Sequence, residues 1–499
     1  MKLQKKAIVI GGGIAGLSAG CYLQKNGFDA HIFEMAPSPG GVTSVWKRNG
    51  YTFDGGTNWF PGSGPRLNFY PLLNELLDFK NHPIVNFDTF MKVRLKGGET
   101  LDVYTDAQNL RNEMLRIAPE DKKTIDTFIT AIQYASKLKL PVEKAKELFS
   151  VFDYIKLGVT SLPLGLFYHK WRKLTIADYA QRFSNPVLRQ LFLHIFPRHS
   201  YFSVLGMIMP LAWMNIEAAG YPVGGSEWVI SSLCNTLEKH GGTITYSSKT
   251  TDILINNKKA CGVVLSDGTK VTSDCVVAAC DGYSTHYQLL GGKYVTRKME
   301  QFFKTTPVFP ALIQISIGLK KNLSQFTHKT VLEFSPPIVC GNDSINVLQV
   351  RFCHFDSTLS PQNGTAVIIH LRTHDYNYWV NLRKNDPEMY KKEKKRITER
   401  VITLLEEYCG PLRTTIEIID TATPATYIRY TNTYKGSYQS WAPVPKLIGN
   451  SLDKKITDLD NFYMCGQWVE PAGGLTRAIV SARNVVQIIC ADNGKKFFV

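Results

Sequence analysis

The chain has 499 residues, 44% of them hydrophobic and 20% charged, with 58 Lys and Arg against 42 Asp and Glu and a formal net charge of +16. Such a length and apolar content predict two or three globular domains with large cores and exclude a disordered chain. The basic excess favours anionic surfaces or acidic ligands; no nucleic-acid-binding motif accompanies it, so nucleic acid is excluded as the expected partner.

The first element is an apolar run at residues 7–10 that meets Gly11-Gly12-Gly13 and then a helical pattern. Gly11, Gly13 and Gly16 have the G-x-G-x-x-G spacing: a tight turn, a close approach of backbone to a pyrophosphate, and a close helix–strand contact. Ile14 and Ala15, between them, start a helix whose free N–H groups face the phosphates. A second run at 30–33 ends at Glu34, at the distance expected for a carboxylate on a ribose diol. These elements predict a dinucleotide site. A glycine-rich loop follows, carrying Gly40-Gly41 and then Asp54-Gly55-Gly56-Thr57-Asn58-Trp59.

Residues 65–215 have a mostly helical pattern. Two greasy stretches, 151–168 and 200–216, are too short or too interrupted to span a bilayer. They are predicted to wall a cavity or dip into a bilayer interface. Tyr221-Pro222-Val223-Gly224-Gly225-Ser226 opens a helix ending near Gly241-Gly242. A β-meander over 243–279 returns to a buried strand. Residues 305–375 are strand-rich and 385–408 helical. The apolar run 462–465 leads into Gly466-Gln467-Trp468 and Pro471-Ala472-Gly473-Gly474, and a helix runs from Leu475 to about residue 491.

The nucleotide-type pieces are thus expected at 1–95, 216–292 and 441–499. A mainly helical region at 96–215 and a sheet-and-helix region at 293–440 make the second domain. Ten cysteines without a C-x-x-C pair exclude a zinc or redox-pair reading and fit buried thiols in a reducing compartment. The absence of a leader before the glycine motif points to the cytoplasm, with peripheral contact to an anionic membrane.

Together the glycine loops, Glu34, the 221–226 loop, the 423–431 segment and the 466–483 ending resemble FAD-dependent enzymes of the amine-oxidase and phytoene-desaturase group. Within it they are similar to the carotenoid desaturase, carotenoid isomerase and retinol saturase branch. The resemblance implies a three-layer Rossmann-like α/β FAD-binding domain, built from discontinuous segments, with a mixed α+β substrate domain inserted. It implies that Gly11, Gly13 and Gly16 hold the pyrophosphate and Glu34 the adenosine ribose. Gly40 and Gly41 would meet the diphosphate. Gly55, Gly56, Thr57 and Asn58 would pass near the isoalloxazine, and Thr250 would contact adenine. Gly466 and Gln467 would lie along the ribityl chain, and Gly473, Gly474 and Leu475 at the flavin N1–C2=O edge. Gln467 stands where relatives often carry an acid, and Ala472 where they often carry glycine.

The resemblance further implies hydride transfer between flavin N5 and an apolar polyene or isoprenoid, with desaturation, saturation or isomerisation left open. No second glycine motif supplies a nicotinamide domain, so oxygen, a quinone or another partner would exchange the electrons. No side chain is assigned as catalytic; His199, Arg198 and Arg66 are the candidates, with Trp59, Arg429 and Tyr430 for the cavity wall. Phe167, Phe192, Phe196, Phe202, Met207, Met209, Trp213 and Met214 are tunnel candidates. A flavin amine oxidase and a non-catalytic FAD-binding protein are the alternatives.

Overall fold

Lys5–Ile10 buries its last four residues and lies at the centre of a nine-stranded sheet. The computed structural model describes residues 4–499. In order, Thr243–Thr245, Phe28–Phe33, Lys5–Ile10, Cys275–Ala278 and Leu459–Met464 run parallel. Buried on both faces, residues 7–10 and Cys275–Ala278 read as short apolar runs without alternation. Ala7 and Val9 pack under the helices Ile14–Lys25, Gly225–Lys239 and Leu475–Asp492. Ile8 and Ile10 face the other way, against Ile253, Val263 and Leu265 of the meander Thr250–Asn256, Lys259–Leu265, Lys270–Thr272. Helices, parallel sheet and meander are the three layers. Gly16 explains the tight first contact: a Cβ there would stand 1.8 Å from the Gly11 carbonyl oxygen.

A second sheet of seven strands has the order Ile416–Ala422, Ala311–Leu319, Thr365–Thr373, Asp343–Phe352, Lys329–Cys340, Thr89–Arg94, Thr100–Tyr104. All its pairs are antiparallel except Lys329–Cys340 with Thr89–Arg94. The chain therefore enters this sheet before residue 95, where the sequence division left it in the nucleotide half, and Thr100–Tyr104 interrupts the region expected to be helical. Here period-2 alternation sorts the residues by face. Ile313, Ile315, Ile317, Leu348, Val350, Ile369 and Leu371 pack on Ile397, Val401 and Leu405 of the helix Pro387–Cys409. Each such side chain, fully buried, stabilises the fold by about 1.5–3 kcal/mol. The opposite face is polar and looks back towards the nucleotide sheet.

The helical region includes Lys122–Ala135, Pro186–Ile195 and Leu205–Asn215. Pro186 occupies the first turn, and the Asn185 side chain accepts from the Val187 and Leu188 amides, which fixes the start. Leu205–Asn215 holds Pro210 inside it and buries Leu205, Met207, Ile208, Leu211 and Ala212, as a helix apolar all round must. By contrast, Val151–Thr160 buries none of its residues. Together with Leu162–Trp171 it exposes Val151, Phe152, Ile155, Val159, Leu162 and Leu166. Among the described residues, no helix is long and apolar enough to cross a membrane. All ten cysteines are unpaired.

Candidate functional site

A cavity of about 410 Å³ lies between the two sheets and takes its walls from both. On the nucleotide side, Lys5–Ile10 ends in Gly11, whose φ of +101° suits glycine. The first backbone bond of the following helix is Leu17 N–H to Gly13 O, 2.9 Å. The Ile14, Ala15 and Gly16 amides therefore have no helical acceptor. Gly40 runs alongside, its N–H bonded to Gly12 O at 2.9 Å, so the two glycine loops form one wall.

The helix Leu475–Asp492 opens at Gly474 and starts bonding only with Ala478 N–H to Gly474 O, 3.0 Å. Gly473, Gly474, Leu475 and Thr476 line the same cavity as Gly13, Ile14 and Ala15. Two helix N-termini, from opposite ends of the chain, thus aim free donors and positive dipole ends into one space.

Glu34 is buried. Its Oε2 accepts from Gly12 N–H at 2.5 Å and its Oε1 from Ala36 N–H at 2.7 Å. Burial outweighs these bonds and raises its carboxyl above the usual range. Lone pairs remain for further donors. Asp54 fixes the second glycine loop. Its Oδ1 accepts from Gly56 N–H, 2.8 Å, Thr57 N–H, 3.0 Å, and Ser226 Oγ, 2.5 Å, while its Oδ2 accepts from Ser226 N–H, 3.0 Å. Arg351 stands 3.8 Å from Asp54 and donates to Thr57 O. Asn58 Oδ1 and Thr250 Oγ1 are buried without a partner, and both residues face the cavity. Orphaned buried polar atoms beside two open helix starts fit an elongated, anionic, polar ligand such as a dinucleotide.

The opposite wall has two characters. From the helical region, Phe196, Phe202, Leu205, Met209 and Trp213 present apolar surface. From the second sheet come Lys329, Gln349, His370 and Arg372. They share one face because Lys329 pairs with Arg351, and Gln349 with His370, across adjacent strands. Arg372 donates to Gln349 Oε1 at 3.1 Å, and His370 meets Gln314 Oε1 at 3.1 Å. Burial, and then the charges of Arg372 and Arg351, push Lys329 well below the usual lysine range. Burial and Arg372 bring His370 down to about 3. His199 is held well below its ordinary value by burial and by Arg372, and neither ring nitrogen has a partner.

Of the cofactor residues read from the sequence, Gly11, Gly13, Ile14, Ala15, Glu34, Gly40, Gly41, Gly55, Gly56, Asn58, Thr250, Gly466, Gln467, Gly473, Gly474 and Leu475 line this cavity. Gly16 lies beneath it, against Gly11. Thr57 lies behind it, its hydroxyl 2.7 Å from Ser226 Oγ. The side-chain candidates divide. His199, Trp59 and Tyr430 reach the cavity. Arg198 instead pairs with Asp343 at 2.5 Å and donates to Ser344 O, bracing the sheet. Arg66 is exposed, and Arg429 lies against the ring of Tyr430. Phe192 and Met207 pack in the core, away from the wall that Phe196, Phe202, Met209 and Trp213 form. Lys329, Gln349, His370 and Arg372 were not found by sequence reasoning. Their signal is a polar residue at every second position of otherwise apolar strands.

Several curated proteins are similar over nearly the whole chain. Prolycopene isomerase from Daucus carota is 24% identical, covering 98% of this chain and 80% of its own. Lycopene-forming phytoene desaturase from Paracoccus sp. is 23% identical, covering 98% of each. The 1-hydroxycarotenoid 3,4-desaturase from Flavobacterium sp. is 25% identical, covering 98% of this chain and all of its own. Among solved structures, an oxidoreductase from Methanosarcina mazei superposes with a TM-score of 0.62 at 18% identity, covering 97% of this chain and 100% of its own. Putrescine oxidase bound to putrescine gives 0.63 at 13%, covering 98% and 99%. These structures share the α/β fold, a parallel nucleotide sheet facing a mixed second sheet. Residues 14–490 match the flavin containing amine oxidoreductases, and the chain belongs to that family.

Proposed function

We propose that the chain binds FAD between its two sheets and exchanges hydride between the flavin and an apolar polyene or isoprenoid lipid. The observation that carries this reading is the cavity itself. Two open helix starts and two glycine loops form one end, and aromatic and aliphatic side chains wall the other. The names of the relatives, carotenoid desaturases and isomerases, support the same substrate class. The mixture of those names leaves desaturation, saturation and isomerisation as outcomes of the assay. Bound flavin supplies a two-electron acceptor or donor at N5; the protein supplies position, dryness and charge.

Each set of residues has a task in this reading. Gly11, Gly13, Gly40 and Gly41 bring backbone close to the diphosphate, and the Ile14 and Ala15 amides donate to it. Glu34 accepts from the ribose. Gly473, Gly474 and the Leu475 and Thr476 amides hold the pyrimidine edge of the ring, where a positive helix end favours negative charge by about 0.3–2 kcal/mol. Phe196, Phe202, Met209 and Trp213 hold the lipid and exclude water, which a C–H donor aligned over a ring requires. Allylic hydride loss leaves a delocalised cation, and a desaturation is completed when the adjacent carbon releases a proton to water or to a weak base such as neutral His199, so no strong side-chain base is required. A quinone, oxygen or another carrier exchanges the electrons unless the reaction is an isomerisation.

Access follows from the two exposed helices. Phe152 and Val159 are each 73% exposed on Val151–Thr160. Tyr168, on the adjoining Leu162–Trp171, lines the cavity. With lysines 144, 146, 156 and 170 nearby in sequence, this surface suits an anionic bilayer in which such substrates dissolve. An amine oxidase is disfavoured by the guanidinium of Arg372 on the cavity wall, which would repel a protonated amine.

Purified protein tests the reading directly. It should carry the flavin absorption, and anaerobic addition of a polyene should bleach that band or return an altered polyene. Peroxide release on amines, with no response to polyenes, would replace it by the amine oxidase. Flavin without any response to either would leave a binding protein.

A further inference from the structure

We propose that the ligand of this cavity is amphipathic, a long apolar chain ending in a carboxylate that Arg372 and Lys329 receive at the sheet wall. The proposal rests on the flavin reading above and specifies the substrate class of the same site.

Three other buried cations, Lys454, Arg483 and Arg351, are matched to carboxylates. Lys454 lies 3.1 Å from Glu470 and 3.4 Å from Glu147. Arg483 makes a two-pronged contact with Glu75. Arg351 has Asp54. Lys329 is just as buried, at 4% exposure, yet among the described residues its ammonium makes no hydrogen bond or ion pair. Its neighbours are the ring faces of Phe90, 4.3 Å, and Trp59, 4.8 Å. Arg372 is met only by neutral groups: it donates to Gln349, and its Nε has no partner. Both residues line the cavity.

A buried basic group without a counter-ion is costly to charge, and burial beside Arg372 and Arg351 biases Lys329 towards the neutral amine. Arg372, half-buried on the same wall, disfavours a second cation there. A hydrocarbon placed in the cavity would remove their remaining water and leave both unpaired. A carboxylate would pair with Arg372, whose guanidinium edge matches its planar geometry, and would draw Lys329 towards its charged form. The His199 ring, with two free nitrogens, adds a donor beside Arg372. Because Phe196, Phe202, Met209 and Trp213 form the rest of that wall, the body of the ligand is apolar. A charged end and a greasy body therefore follow from the two wall chemistries.

Equilibrium titrations of the holoprotein with all-trans retinoic acid, its methyl ester and retinol test this. Quenching of tryptophan emission and perturbation of the flavin band serve as readouts, since Trp59 and Trp213 line the site. The acid should bind about 10- to 100-fold more tightly than the ester, as expected for hydrogen bonds to a charged group. Arg372→Gln and Lys329→Met should each collapse that ratio while leaving ester affinity in place, and Arg372→Lys should retain part of it. Equal affinity of acid and ester in the unaltered protein overturns the proposal without need of any variant. So does a substitution that shifts the flavin band but not the ratio, or that weakens acid and ester alike. Thermal unfolding checks that each variant is folded. Protein that takes up no FAD sinks the flavin reading, yet tryptophan quenching still measures the ratio. Yellow protein that turns over a neutral polyene without preferring the acid sinks this inference alone.

Discussion

Gly13 and Gly16 belong to one motif but do different physical work. A Cβ on Gly16 would strike the Gly11 carbonyl at 1.8 Å, whereas one on Gly13 meets Gly40 and Gly41 at ordinary distances, 3.8 and 3.9 Å, beside the cavity. Gly16→Ala should therefore lower the unfolding temperature or prevent soluble expression. Gly13→Ala should leave unfolding nearly unchanged and weaken FAD binding about tenfold or more, the loss of one charge-assisted contact. Calorimetry and flavin titration of the two variants separate the roles. Asp281 offers a second test at this scale. It is 5% exposed on the cavity wall, and burial raises its carboxyl to about 6 despite bonds from the Ser284 and Tyr434 amides. The unfolded chain holds that proton only to about pH 3.9. The folded state therefore binds more protons between those values. The resulting stability, on the order of 3 kcal/mol, is full below about pH 3.9 and lost as pH rises through about 6. In flavin-free protein, the infrared band of a protonated carboxyl should vanish across pH 6 and be missing from Asp281→Asn.

Among the elements, Val151–Thr160 is held by local means. Ser150 and Asp153 form a capping box, and Lys144 reaches Asp153 at 2.7 Å. None of its apolar side chains is buried, so Phe152→Ser, Ile155→Ser and Val159→Ser together should leave the unfolding temperature within the range of ordinary surface changes. The same triple variant should lose most sedimentation with vesicles containing anionic lipid, and the unaltered protein's binding should weaken with salt. Undiminished binding would remove the membrane assignment. At this scale the sequence was legible where a signal is local. The glycine spacing, Glu34 and the Gly473-Gly474 start each depend on a few neighbouring residues. Thr89–Arg94 escaped because six residues with only three buried look like a loop, and its partner Lys329–Cys340 lies far along the chain. The cationic wall escaped because Gln349, Arg351, His370 and Arg372 alternate with apolar residues, the pattern of a strand with one face in water. Only the second sheet, folded over the first, turns that face into a cavity wall. Arg198 resembled an acid–base candidate until its pairing with Asp343 was visible.

For the molecule as a whole, the cofactor reading has a thermodynamic consequence. Residues near 11–15, 40–58, 250 and 466–476 all border one cavity, so a ligand bound there adds to the hydrogen bonds and packing that already join these segments. FAD at a hundred times its dissociation constant should stabilise the fold by about 2.7 kcal/mol. Calorimetry should show a higher unfolding temperature for flavin-loaded than for stripped protein, and a concentration-dependent recovery on adding FAD back. An unchanged temperature would mean that the three segments hold together without it.

The strand order also sets a timetable for biosynthesis. Lys5–Ile10 gains its neighbour Phe28–Phe33 almost at once, but the opposite edge waits for Cys275–Ala278. That edge is without its partner until residues 11–274 have been made. The last helix start arrives only at Leu475. A ribosome stalled before residue 275 therefore carries a chain with a bare β-edge and a half-built pocket. On the cofactor reading, the flavin site closes only after residues 473–476 have been made.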